Sequence, residues 1–215
     1  GGFVAKAKTA VEQQVSIPDG YTLSWSGQFE SMERAATRLK IVTPATLLVI
    51  FLLLYLNFRN VTEPLVVMLS IPFGLVGGIW LIYLNDYNIS VAVAVGFIAL
   101  AGMAAEIGVL VLSFIDAEIK KRRGAAQRSL ALEDIRDAVL SATSQRVRPI
   151  AMTAISTMAG LIPIMLSTDT GSDVTHRIAA PMLGGMLTVM LVNLLVLPVL
   201  YSLVLQYQEK RIKVK

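Results

Sequence analysis

The chain has 215 residues, of which 55% are hydrophobic and 16% charged, with a formal net charge of +4 and a mean hydropathy of +0.66. A soluble domain this apolar cannot cover its surface with polar groups, and two-residue alternation of the kind a lipid-embedded barrel needs is absent. With no cysteine the chain has no thiolate site, and its single histidine, His176, cannot build a metal cage alone.

Residues 1–40 are not membrane sequence. Val4, Ala7, Val11 and Val15 recur at helical spacing, and Pro18-Asp19-Gly20 is a turn signal. Tyr21, Leu23 and Trp25 then alternate with Thr22, Ser24 and Ser26, the period of a half-buried strand. Helix, turn and strand make a fragment of an α+β domain, too short to bury a core of its own. The chain opens with Gly1-Gly2 and no start methionine, and reads as a piece of something longer. Glu30–Lys40 reads as a charged helix leading into the membrane.

Five apolar segments follow: Ile41–Phe58, Pro64–Leu84, Ser90–Phe114, Pro149–Ser167 and Ile178–Leu205. Each is near the length of about 20 residues that a spanning helix needs. Their prolines are tolerable in membrane spans, where neighbouring helices satisfy the freed carbonyls. Gly74, Gly77, Gly78, Gly102, Gly108, Gly184 and Gly185 predict close packing of the spans. The expected fold is an all-α membrane bundle over 41–205, preceded by the short α+β fragment 1–40 and followed by a basic tail, 206–215.

The connection 116–148 carries Lys120, Lys121, Arg122, Arg123, Arg128, Arg136, Arg146 and Arg148, whereas Asn85–Ile89 has no lysine or arginine and Thr168–Val174 is acidic. The positive-inside rule therefore makes 116–148 and the C-terminus cytoplasmic, and 1–40 lies outside. Arg34, Arg38 and Lys40 oppose this orientation and are discounted, because translocated domains override loop charge. The basic charge is that of cytoplasmic loops on a lipid-embedded protein, and no nucleic acid is implied. Ile135, Val139 and Ala142 repeat at helical spacing after a cap at Ser129, predicting an amphipathic helix on the inner membrane face.

Glu106 sits in the middle of the third segment. A charge at the bilayer centre costs at least about 2.5–3.5 kcal/mol, so such an acid faces a polar cavity or a partner and points to proton coupling or to a static interhelical bond. Thr153, Ser156, Thr157 and Gly160 fall at i, i+3, i+4 and i+7, one narrow polar face. That face either passes protons through water or packs against a helix. Asn193 carries a weaker version of the same signal. Nine methionines suit a soft metal or ordinary core filling, and packing is the favoured reading. No nucleophile, metalloprotease or phosphate-loop motif is present, so an enzyme is not expected, and no cofactor is implied.

The strings SIPFGLVGGIWLIYL (Ser70–Leu84), GFIALAGMAAEIGVLVL (Gly96–Leu112), RVRPIAMTAISTMAGLIPI (Arg146–Ile164) and RIAAPMLGGMLT (Arg177–Thr188), with SGQFE (Ser26–Glu30), closely resemble the resistance-nodulation-division efflux pumps. The likeness is to their heavy-metal branch, especially the copper/silver members, and covers essentially the whole chain. It implies the second half of a transmembrane domain, with 1–40 the end of a periplasmic pore subdomain. It further implies a homotrimer in the bacterial inner membrane, joined to a periplasmic adaptor and an outer-membrane channel, that exports metal cations in exchange for protons. The missing N-terminal half would hold the metal site and the relay aspartates.

By that resemblance Glu106-Ile107 stands where multidrug members have a relay lysine and asparagine. Thr153 matches a relay threonine, and Arg146 a relay arginine near the cytoplasmic end. The copper/silver pattern has a lysine after RVRP and a methionine after its GS[DE]V string; here these positions hold Ile150 and Thr175. These departures weigh against copper or silver and leave a harder divalent ion such as zinc, cobalt, nickel or cadmium open, without naming the ion. A multidrug exporter, or a non-exporting member such as a protein-translocation assistant, is the alternative.

Overall fold

A computed structural model describes residues 2–14, 28–126 and 131–213. It divides into two compact units, 1–46 and 47–215. Among the described residues the regular structure is entirely helical. The alternation at Tyr21, Leu23 and Trp25 and the proposed cap Ser129 lie outside the described residues.

In the first unit, α1 (Gly2–Gln14) covers the helically spaced Val4, Ala7 and Val11. The charged stretch Glu30–Lys40 is helical, as expected, and runs on within α2 (Gln28–Phe58), which is unbroken through Pro44.

The second unit holds α3 (Thr62–Leu84), α4 (Val91–Ala126), α5 (Leu132–Leu166), α6 (Ser172–Leu191) and α7 (Leu197–Lys213). A single wide turn, Val192–Val196, joins α6 to α7 without a break. It ends two residues before Pro198, which has no N–H to offer the preceding turn. Among the described residues five helices are long and apolar enough to cross a membrane: Glu33–Phe58, Thr62–Leu84, Val91–Ala125, Leu132–Leu166 and Ser172–Tyr207.

α6 is the central helix and packs against α3, α4 and α5. Small residues make this possible. The Gly77 backbone faces the Gly184 carbonyl, and Gly184 in turn faces the Gly77 carbonyl, so a side chain on either would strike backbone. Thr188 ties the same pair of helices, donating to the Gly74 carbonyl and accepting from the Gly77 N–H at 3.3 Å. Elsewhere the surface is oily: Leu65, Leu69, Phe73, Val76, Ile79 and Trp80 of α3 are all exposed. Trp80 and Tyr83 meet edge to face at 6.3 Å near the end of α3, an aromatic pair of the kind found at membrane–water boundaries.

The connection 116–148 differs from its expected form. α4 extends to Ala126 and α5 begins at Leu132, so the amphipathic stretch is the first part of α5 itself. Its apolar positions Ile135, Ala138, Val139 and Ala142 are buried. The helix start is capped at Ala131, whose N–H donates to the Asp134 carboxylate at 3.1 Å. Arg122 spans the two helices, bonding Glu118 at 3.0 Å and the Asp134 carbonyl at 3.3 Å.

Valine at Gly77 or Gly184 is expected to push α3 off α6 and to destabilise the fold by about 1–3 kcal/mol or more. Gly124→Ala, where nothing lies within 4 Å, is expected to be neutral or slightly stabilising. Thermal unfolding of the detergent-solubilised protein checks both, and an unchanged midpoint for the valine variants would contradict the packing described.

Candidate functional site

α4 and α5 run antiparallel and in contact. Consequently Arg146, near the middle of α5, lies opposite Phe114 of α4, with its guanidinium carbon 3.0 Å from the ring centroid. Two turns further along α5, Thr153 reaches the level of Glu106. The three side chains that the sequence singled out, Glu106, Arg146 and Thr153, line one cavity of about 80 Å³ together with Met103, Ile107, Leu110, Pro149 and Ile150. This exceeds the roughly 10–15 Å³ needed to hold one water. A carboxylate, a guanidinium and a hydroxyl around water-sized space can relay a proton through short hydrogen-bonded steps, provided water enters.

Glu106 and Thr153 are exposed, and so are Ser156 and Gly160. Neither Gly102 nor Gly160 has a neighbour within 4 Å of where a Cβ would stand. The polar face of α5 therefore does not stack on α4 beyond Thr153; it opens outward beside Glu106. The Thr153 hydroxyl donates to the Pro149 carbonyl at 3.1 Å, and that of Thr157 to the Thr153 carbonyl at 2.9 Å. Both remain free to accept a hydrogen bond.

Ile150, at the position where the family resemblance expects a lysine, is 3% exposed and forms part of the cavity wall. Among the residues lining the cavity, Arg146 is the one cation. Thr175 is exposed on α6 and turns its hydroxyl back onto the Ser172 carbonyl at 2.8 Å. Among the described residues no group of three or more histidines or carboxylates is placed to hold a metal.

Asn193 is far more buried than its sequence signal suggested, at 1% exposure within the wide turn. Its Oδ1 accepts from Ser70 at 3.2 Å, and its Nδ2 donates to the Ala104 carbonyl at 3.2 Å.

Sequence reasoning missed one acid altogether. Glu63, in the first turn of α3, is 7% exposed, and its Oε1 accepts from the Tyr201 hydroxyl at 3.1 Å and from Asn60 at 3.4 Å. Its Oε2 is buried with no protein partner. By composition the apolar segment starts at Pro64, so in the sequence Glu63 looks like loop. The usable signal was the α3 start: Asn60 accepts from the Val61 N–H at 2.8 Å, and a carboxylate is favoured in a first helical turn.

The model of the AcrB/AcrD/AcrF family matches residues 1–205. The chain belongs to that family. Among its curated relatives, the putative cation efflux system protein SilA of Salmonella typhimurium is 43% identical over 205 residues, covering 95% of this chain and 20% of the relative. The cobalt-zinc-cadmium resistance protein CzcA of Cupriavidus metallidurans is 40% identical, over 94% of this chain and 18% of its own length. A crystal structure of a heavy metal efflux pump superposes with a TM-score of 0.74 at 31% identity, over 94% of this chain and 19% of that one. The chain thus spans about a fifth of the length of these relatives. Membership agrees with the resemblance read from Ser70–Leu84, Gly96–Leu112, Arg146–Ile164 and Arg177–Thr188.

Tyr201→Phe is expected to leave Glu63 without its buried donor and to lower stability by about 1–3 kcal/mol. Asn60→Ala, which removes the longer and more exposed bond, is expected to cost less. Equal midpoints for Tyr201→Phe and the unaltered protein in thermal unfolding would show that the bond contributes nothing.

Proposed function

We propose that this chain is the C-terminal membrane half of a proton-driven exporter of heavy-metal cations, with Glu106 as its proton carrier. The observation that carries the reading is the shared cavity of Glu106, Arg146 and Thr153. An intramembrane acid beside a cation and a hydroxyl, with room for water, is the usual equipment of a proton relay. The names of the relatives, which speak of cation efflux and of cobalt, zinc and cadmium resistance, support the cargo class. A carboxylate in place of the multidrug lysine supports the metal branch over the multidrug one.

In this reading Glu106 takes up a proton from the outer side and passes it inward past Thr153 toward Arg146. The exposed strip of Glu106, Gly102, Thr153, Ser156 and Gly160 is the face on which the N-terminal half of the pump packs, and that half supplies the remaining relay groups. The chain lies in the bacterial inner membrane with 1–40 periplasmic, as the end of a pore subdomain, and 116–148 and 206–215 cytoplasmic. It works as a homotrimer with a periplasmic adaptor and an outer-membrane channel. Ile150 and Thr175 leave no amine beside Glu106 and no thioether at the outer start of α6. The cargo is accordingly a divalent ion such as zinc, cobalt, nickel or cadmium rather than copper or silver.

Glu106→Gln in the intact pump is expected to abolish metal resistance while abundance and trimer formation stay normal. Resistance that survives the substitution removes Glu106 from the mechanism. In a deletion strain carrying the intact pump, growth on zinc, cobalt, nickel or cadmium salts is expected to recover, whereas growth on copper or silver is not. The opposite pattern would reverse the cargo assignment.

A further inference from the structure

The buried amide of Asn193 grips the same turn of α4 that carries Glu106. Its Nδ2 donates to the Ala104 carbonyl at 3.2 Å, a group that already closes the helical turn from Ala104 to Gly108. Gly108 makes room for this grip. A Cβ there would stand 3.3 Å from Asn193 Oδ1, 3.2 Å from Val67 Cγ1 and 3.4 Å from Leu197 Cδ1. Ala104 and Gly108 lie nearly in line on one side of α4, and Glu106, halfway between them, projects from the opposite side. The burial pattern agrees: Ala104, Ala105, Ile107 and Gly108 are buried, and Glu106 is exposed.

The amide is itself held on both sides. The Ser70 hydroxyl of α3 shares its one proton between the Val67 carbonyl at 2.8 Å and Oδ1 at 3.2 Å. The backbone behind Asn193 is the wide turn Val192–Val196 between α6 and α7. Such a turn carries one more residue than an α-helical turn, which rotates the side chains before it relative to those after it, and it is frequent at functional sites. One side chain therefore connects α3, the α6–α7 junction and the back of the Glu106 turn, in a layer that is otherwise apolar.

We propose that Asn193 is a positioning residue for Glu106: through the Ala104 carbonyl it sets the axial rotation of the α4 turn, and so how far the carboxyl reaches into the cavity shared with Arg146 and Thr153. A shift of the α6–α7 junction relative to α3 would thereby be felt at Glu106. The inference rests on the reading of Glu106 as proton carrier, but its primary test does not need that reading to hold.

The test uses the intact pump, purified and reconstituted in proteoliposomes. Asn193→Leu keeps the side-chain volume and removes both hydrogen bonds. Gly108→Ala keeps Asn193 and presses a methyl group against it, and it serves if Asn193→Leu fails to fold. Two quantities are read on folded trimer: the rate at which dicyclohexylcarbodiimide modifies Glu106, located by peptide mass spectrometry, and the kcat and KM of metal transport. The expected result is a several-fold change in Glu106 modification in both variants, smaller in Gly108→Ala. It is accompanied in Asn193→Leu by a fall of about ten-fold or more in kcat with KM unchanged, since small misplacements of a reacting group cost rate rather than binding. Unaltered modification of Glu106 in folded Asn193→Leu, or in Gly108→Ala where only that variant folds, overturns the proposal and leaves Asn193 as packing. Should Glu106→Gln still transport, the proton-carrier reading fails, and the modification rates alone decide the positioning role.

Discussion

The bundle depends on two helices touching through their backbones. In lipid the apolar side chains gain little by meeting one another, because the surrounding tails are equally apolar. Helices associate there by close van der Waals contact and by hydrogen bonds that would otherwise have no partner. Gly77 and Gly184 supply the first, each facing the other's carbonyl, and Thr188 supplies the second at the same level. Because α3 comes this close, α6 can sit at the centre and still reach α4 and α5.

That close centre decides where the polar groups go. Ser70 and Asn193 satisfy each other and the Ala104 carbonyl, and Tyr201 satisfies one oxygen of Glu63. All four side chains are buried on the α3–α7 side. The opposite side, where α4 meets α5, is arranged differently. There Glu106 and Thr153 are exposed beside a small cavity, and their hydrogen-bonding capacity is turned outward. Two acids in one bundle thus occupy contrasting surroundings, one packed against a tyrosine in the interior and one open to whatever covers that face.

Much of this was legible beforehand. Hydropathy located the five spans because each must cover about 30 Å of hydrocarbon, and Glu106 stood out because an acid in such a run is costly. Helical spacing placed Thr153 on a polar face and Ile135, Val139 and Ala142 on an apolar one. Glu63 escaped notice because local composition at a span end is the same whether the residue faces solvent or folds inward; only the approach of Tyr201, 138 positions away in sequence, distinguishes the two. Asn193 was visible as a polar residue in a span, but its partners, Ser70 and the Ala104 carbonyl, come from two other helices, and nothing local announces them.

By itself the sequence determined the number and approximate place of the spans, the acid in the third and the family to which the chain belongs, since each depends on residue type along a short stretch. The convergence of Glu106, Arg146 and Thr153 on one cavity, the burial of Glu63 and the grip of Asn193 on the Ala104 carbonyl were decided only by tertiary structure. Each depends on the rotation and depth at which antiparallel helices settle against one another, and those follow from backbone contacts between residues far apart in the chain.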